Sequence, residues 1–556
     1  MEYFDIDVYS RKITTDSPDA QLWFDRGLVW TFAYNHELAV GCFQKALEHD
    51  PDCAMAHWGV SYASGPNYNF EWQMMDPATK EAALGLAYDH AQAALALVDQ
   101  ITGPERSLIE ALTARYPQRE PIDQQEPWND AFAAAMKTAF DTHPDDLEVA
   151  TVYAEAILNQ TPWKMWDIRN NTVAEGAGTL EAQRVLETFV DTPEGHVHPG
   201  ILHLYVHLME MSPTPEKALM AGDRLRELVP DAGHLIHMPT HIDIQCAEYR
   251  DAMLWNQKGI EADLRVAEHQ GRMNFYTAYR VHNYHFAIYG ALFLGQYEPA
   301  MAAAEEMIDE IPVDLLKLDS PPMADFLESY LSMKTHVQIR FGRWRDIIAE
   351  PLPDDQSLYC HTTASLHYAK AVAHAALGDI AESEDERAKF MEARANVPES
   401  RHLHNVACVD LLEVAEQMLD GELEYRKANY DAAFAHLRKA IELEDALPYD
   451  EPWGWIQPVR HAFGALSLEQ GRIEEAEQAY REDLGLAGDL PRACIHPDNI
   501  WSLKGLDECL RRRGAAETPE GIWIRQRLEL AAARSDLPVG ASCYCAQAAM
   551  QAAAAE

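Results

Sequence analysis

The segment LWFDRGLVWTFAYNHELAVGCFQKALEHDP, residues 22–51, restricts the fold more than any other stretch. It reads as two helices joined by a short turn. Gly27 and Ala39 are small enough to let the helices approach closely, Phe43 fills the gap toward the next pair, and Pro51 ends the second helix. Apolar residues recur three and four apart through almost the whole chain, and no sustained run of alternating β-branched residues competes. The expected fold class is therefore all-α.

The placement of Trp23, Gly27, Ala39, Phe43, Ala46 and Pro51 resembles the 34-residue helix hairpin of the tetratricopeptide repeat (TPR) family. The same frame fits Gly295, Tyr297, Ala300 and Pro312, and again Gly464, Gly471, Ala476 and Tyr480. AEYRDA (247–252), FGRWRDI (341–347), ALGDIAE (376–382) and KANYDAA (427–433) each read as a turn followed by the start of a second helix. Such hairpins cannot bury their apolar faces alone. The resemblance therefore implies one TPR-type solenoid over residues 1–540, with about eight or more hairpins curved around a concave groove, and a short CxC tail at 541–556. Prolines in NQTPW, IDEIPVD, AEPLPDD and ALPYDEPWGW punctuate helices and mark no domain break.

Histidines are concentrated in one part of this frame: ten of the 24 lie between residues 196 and 285. Numbered from the start of each hairpin, His203 and His207 fall at positions 5 and 9 of one repeat, and His234, His237 and His241 at 2, 5 and 9 of the next. His282 and His285 take positions 2 and 5 of a third. In TPR proteins these first-helix positions look onto the concave surface. Spacings of three and four put His203, His207 and Glu210 on one helix face, as they do His234, His237 and His241. Imidazoles on adjacent helices about 8–10 Å apart can share a metal ion. Isolated histidines such as His57, His269, His336, His374 and His436 read as ordinary core or surface residues.

Charge narrows the partners. The chain has 556 residues with 90 acidic against 45 basic, a formal net charge of −45, so its field repels phosphate backbones and anionic lipid. Neither nucleic acid nor a membrane is an expected partner. No run of eighteen apolar residues and no leader-like N-terminus is seen, which gives a cytoplasmic expectation. Nine cysteines, mostly isolated in helical pattern, read as reduced thiols, with Cys543 and Cys545 in VGASCYCAQ as the exception. The Ala-rich AQAAMQAAAAE that follows reads as frayed or weakly helical. There is no Gly-rich phosphate loop and no nucleophile elbow.

HPGILHLYVHLMEMSPTPEKAL, PDAGHLIHMPTHI and VHNYHF resemble blocks of a bacterial subgroup of TPR-containing proteins. AHWGVSYASGPNYN, YAEAILNQTPWKMWD, EPWGWIQPVRHAFGALSLEQGRIEEAEQAYREDL and NIWSLKGLDECL agree with it. CIHPD and the His461 that follows Arg460 depart from it. The resemblance implies architecture and candidate residues, including a terminal pair, Cys543 and Cys545, that folds back toward the histidines.

The candidate metal ligands are His203, His207, His234, His237, His241, His282, His285, Cys543 and Cys545. Glu210, Tyr205 and Tyr284 are the candidate catalytic groups, and Trp163 and Trp166 could line the pocket. Neutral imidazoles suit copper, iron and zinc, and thiolates would favour copper or zinc. Seven histidines exceed the four ligands of a structural zinc. The expectation is a copper- or iron-dependent oxidoreductase acting on a small molecule in the groove, with copper placed first. A zinc hydrolase or lyase using Glu210 or Asp243 as general base, and a non-catalytic peptide-binding scaffold, are the alternatives. Self-association through end repeats is a further expectation.

Overall fold

A computed structural model describes residues 3–546. The chain is all-α, built of helix hairpins, and the strands among the described residues are two antiparallel pairs of two residues each: Trp166–Asp167 with Thr172–Val173, and His402–Leu403 with Val406–Ala407. Packing defines two compact units. The first comprises residues 1–242 and 258–271, and the second 243–257 and 272–556. The boundary falls inside the helices Pro239–Gln245 and Tyr249–Gln270, where the sequence offers no break.

In the first unit the helices pair in chain order: Pro18–Phe32 with His36–His49, Ala54–Ala63 with Pro77–Ala96, Gly103–Arg115 with Glu126–Thr142, and Leu147–Leu158 with Thr179–Phe189. Pro199–Glu210 then pairs with Leu219–Leu225, and Gly233–His237 follows. In the second unit Thr277–Leu294 pairs with Tyr297–Asp309, Cys360–Leu377 with Ile380–Arg394, and Cys408–Arg426 with Tyr430–Ala446. Val459–Glu469 with Ile473–Asp483 and Ile500–Arg512 with Pro519–Ala532 complete the run. Helices end where the chain turns left-handed: Gly295, Gly342, Gly378 and Gly471 have φ of +72°, +64°, +89° and +71°. These are the turns anticipated from GQY, FGRW, LGDI and QGRI, and only glycine adopts that conformation without a Cβ penalty.

One packing motif sets hairpin spacing in both units. Phe43, fully buried, sits against Gly27 of its own hairpin and Gly59 of the next; a Cβ on either glycine would lie 2.6 Å or 2.5 Å from the ring. Tyr480 repeats the arrangement in the second unit, where a Cβ on Gly464 or Gly505 would lie 2.4 Å or 2.1 Å from its ring. An aromatic ring on the second helix thus fills the notch left by a glycine on each neighbouring first helix, which restores close packing.

This motif predicts opposite outcomes for two glycines. Gly505→Ala overpacks the Tyr480 notch and costs about 1–3 kcal/mol in chemical denaturation. Gly41→Ala, mid-helix with nothing within 4 Å of its Cβ, raises stability by up to about 1 kcal/mol.

Candidate metal centre

Pro199–Glu210 carries His203 and His207, Gly233–His237 carries His234 and His237, and a glycine lets each of these helices approach its neighbours. A Cβ on Gly200, at the start of Pro199–Glu210, would lie 2.7 Å from Phe32 and 2.8 Å from Thr151. A Cβ on Gly233, which opens Gly233–His237, would lie 2.1 Å from the Asp263 carboxylate. Trp166 ties the first of these helices down by donating from Nε1 to the Leu208 carbonyl at 2.6 Å. His203, His207, Glu210, His234, His237 and His241 all end in the interior, none more than 1% exposed.

Their hydrogen bonds orient the rings. His203 Nδ1 donates to the Phe32 carbonyl at 2.7 Å, one of the carbonyls a helix leaves over at its C-terminus. His207 Nδ1 donates to Glu210 Oε1 at 3.0 Å, while His241 Nδ1 lies 3.2 Å from Glu210 Oε2. One buried carboxylate therefore faces the same ring nitrogen of two imidazoles and is hydrogen-bonded to that of His207. His203 Nε2 and His207 Nε2 are buried without a hydrogen-bond partner. One nitrogen from each of His203, His207 and His234 lies within 4.8 Å of the other two. Beside them, His237 Nε2 and His241 Nε2 face each other at 2.9 Å. Anchoring Nδ1 to a carbonyl or carboxylate and leaving Nε2 open is how proteins prepare an imidazole for a metal.

Burial, reinforced by the neighbouring imidazoles, holds His203, His207 and His234 well below the usual histidine pKa. At neutral pH they are uncharged, the form that ligates. Aromatic rings close the surroundings. Tyr34 lies 4.6 Å from His203, 5.7 Å from His207 and 5.5 Å from His234 between ring centroids, and Tyr68 lies 4.7 Å from His207. Trp163 packs on Tyr68 at 5.0 Å and lies 6.1 Å from His207.

Tyr205 points to Glu187, where its hydroxyl donates at 3.3 Å. His282, His285, Tyr284, Cys543 and Cys545 belong to the second unit. There burial, aided by the acidic residues Glu306 and Glu310, raises the Tyr284 pKa well above its usual value. His282 stacks on His404 at 4.5 Å, and His404 Nδ1 donates to Asp450 at 2.5 Å. Both ring nitrogens of His285 are buried without a partner, and burial together with His404 and His336 pulls its pKa down to about 3. Cys543 and Cys545 are joined as a disulfide and pack within the second unit, so in this form neither sulfur is a thiolate donor. AQAAMQAAAAE extends from residue 546 beyond the described residues.

Sequence reading passed over Tyr34, Tyr68 and the Phe32 carbonyl; YNH at 34–36 and the glycines of HPG and AGH were the available signals. It also gave His336 an ordinary role and did not single out His361, although both have a buried Nδ1 without a partner. His461, unexpected in the sequence, pairs with His496 on Asp483: His461 Nε2 lies 2.9 Å from Oδ2 and His496 Nδ1 2.7 Å from Oδ1. Asn499 and Ser502 also donate to this carboxylate, which makes a structural polar node.

No known family profile and no curated protein matches this chain. Among solved structures, a monomeric IFIT1 mutant with Gppp-AAAA is 11% identical, covers 93% of this chain and 91% of its own, and has a TM-score of 0.30. Yeast Tom70 is 10% identical over 91% and 92%, TM-score 0.28. The APC/C hetero-tetramer Cut9-Hcn1 is 11% identical over 92% and 95%, TM-score 0.27. Scores this low define no common path for the whole chain.

The buried histidines predict acid sensitivity. His336 and His361 have pKa values drawn down to about 4 and about 3 by burial, against 6.5 unfolded. The unfolded chain therefore binds more protons below pH 6.5, and stability falls as pH drops, by about 1.4 kcal/mol per pH unit for each such group. The urea midpoint is expected to fall steeply from pH 7 to 5 and to fall less steeply in His361→Gln; an unchanged midpoint over that range contradicts the assignment.

Proposed function

We propose that this chain is a metal-dependent enzyme whose centre is held by His203, His207 and His234, with His237 and His241 beside it, and that it is a copper- or iron-dependent oxidoreductase acting on a small molecule. The observation that carries this reading is the convergence of three uncharged, buried imidazoles, two with Nδ1 anchored and Nε2 open. An all-nitrogen donor set suits copper, iron or zinc. Tyr34, Tyr68 and Trp163 around the histidines supply oxidisable side chains that favour a redox metal over zinc. When bound, such a metal would supply one-electron and dioxygen chemistry.

Glu210 acts here as a positioning residue. Both its oxygens face imidazole Nδ1 atoms, which leaves it poorly placed as the general base of a hydrolase or lyase. The burial of the whole cluster likewise disfavours a peptide-binding role for these imidazoles. His282 and His285 stay candidates for a metal-ligating or substrate-binding role.

Plasma mass spectrometry on untagged protein prepared without chelators tests the reading. One or two equivalents of copper or iron per chain are expected, with most of it lost in His207→Ala while helical content is retained. Zinc without oxygen consumption would transfer the protein to the hydrolytic class. Metal-free protein after reconstitution would overturn the proposal.

Glu210→Gln is expected to lower metal affinity about 10- to 100-fold, as the loss of a carboxylate behind a ligand does. Competition with a chromophoric chelator reads this directly; unaltered affinity would remove Glu210 from the site.

A further inference from the structure

The Cys543–Cys545 disulfide spans a sequence separation of two, so it closes the shortest of loops and removes little freedom from the unfolded chain. Stapling does not account for it. The seven other cysteines are free thiols, six of them buried.

The segment carrying the pair is built into the second unit. Ser542 Oγ lies 2.6 Å from the Tyr480 hydroxyl and donates to the His461 carbonyl at 2.8 Å. Arg340 donates to the Ser542 carbonyl at 3.0 Å, and Arg426 to the Cys545 carbonyl. Tyr544 packs on Gly342, where a Cβ would stand 2.8 Å away.

Both cysteines line a small cleft with Arg340, Tyr368, Glu422 and Trp455. Arg340 is 5% exposed, its Nε has no hydrogen-bond partner, and its guanidinium lies 3.7 Å over the Trp501 ring. Among the described residues no carboxylate forms an ion pair with it, and buried Asp483 acts on it only through space. Other buried arginines of the unit are paired: Arg401 with Glu328 at 2.9 Å, Arg426 with Glu422 at 2.7 Å, and Arg460 with Asp445 at 2.7 Å. In a chain with two acidic residues for each basic one, a buried guanidinium with an open Nε and no carboxylate in ion-pair contact offers a place for an anion from outside. Trp455 Nε1, buried on the same cleft, also lacks a partner and offers a second donor. Glu422 is already neutralised by Arg426.

We propose that Cys543–Cys545 is a redox-active pair that exchanges with a small carboxylate-bearing thiol, recognised in this cleft by Arg340 and Trp455. The thiolate of one such molecule attacks Sγ of Cys543, the less buried of the two residues; the Cys543–Cys545 bond breaks, and Cys545 leaves with the electron pair and takes a proton. A second thiolate attacks the co-reactant sulfur of the mixed disulfide. Cys543 then leaves as thiolate, accepts the Cys545 N–H now 3.2 Å from its sulfur, and takes the second proton. Two small thiols become one disulfide, and the protein gains two thiols.

The test is exchange by the full-length protein with 3-mercaptopropionate and with uncharged 2-mercaptoethanol, read by trapping thiols and intact mass. Two additional thiols per native chain are expected, with exchange at least tenfold faster for the carboxylate. Arg340→Gln removes that preference and leaves slow exchange. A disulfide that opens only on unfolding overturns the redox role. Equal rates for the two thiols in the unsubstituted protein overturn the recognition by Arg340, whatever the variant does to folding.

Discussion

Close approach between helices is the constraint from which the rest of this structure follows. Phe43 between Gly27 and Gly59, and Tyr480 between Gly464 and Gly505, hold successive first helices at a separation that any larger residue would widen. Gly200 and Gly233 apply the same principle where histidines are carried, bringing Pro199–Glu210 against Phe32 and Thr151, and Gly233–His237 against Asp263. Without those contacts His203 could not reach the Phe32 carbonyl, and ring nitrogens of His203, His207 and His234 would not share one small volume.

Close packing also decides the electrostatics. Imidazoles removed from water give up their charged form, so His203, His207 and His234 are neutral, and Glu210 is tolerated because ring nitrogens of His207 and His241 face it. The same physics shapes Asp483, buried and held well below the usual carboxylate range by His461, His496 and their hydrogen bonds. His203 Nε2 and Arg340 Nε are among the buried polar atoms that have no built partner.

Much was legible in the sequence. The left-handed turns at Gly295, Gly342, Gly378 and Gly471 could be read because a backbone with positive φ selects glycine, and the pairing of His207 with Glu210 because residues three apart share a helix face. Tyr34 and Tyr68 were not legible. They precede His207 by well over a hundred residues, and nothing local distinguishes them from the aromatic packing of any hairpin. Glu210 read as a base because a lone carboxylate near histidines suggests one; its second imidazole partner, His241, comes from another helix.

The sequence by itself determined the all-α class, the hairpin frame and the histidine spacing, since each rests on periodicity and on residues within a few positions of one another. Tertiary structure alone decided which nitrogens converge, which are anchored, and that Cys543 and Cys545 bond to each other within the second unit. Those outcomes depend on backbone atoms and side chains brought together from distant parts of the chain, and no local spacing encodes where a distant carbonyl or an unpaired guanidinium will come to rest.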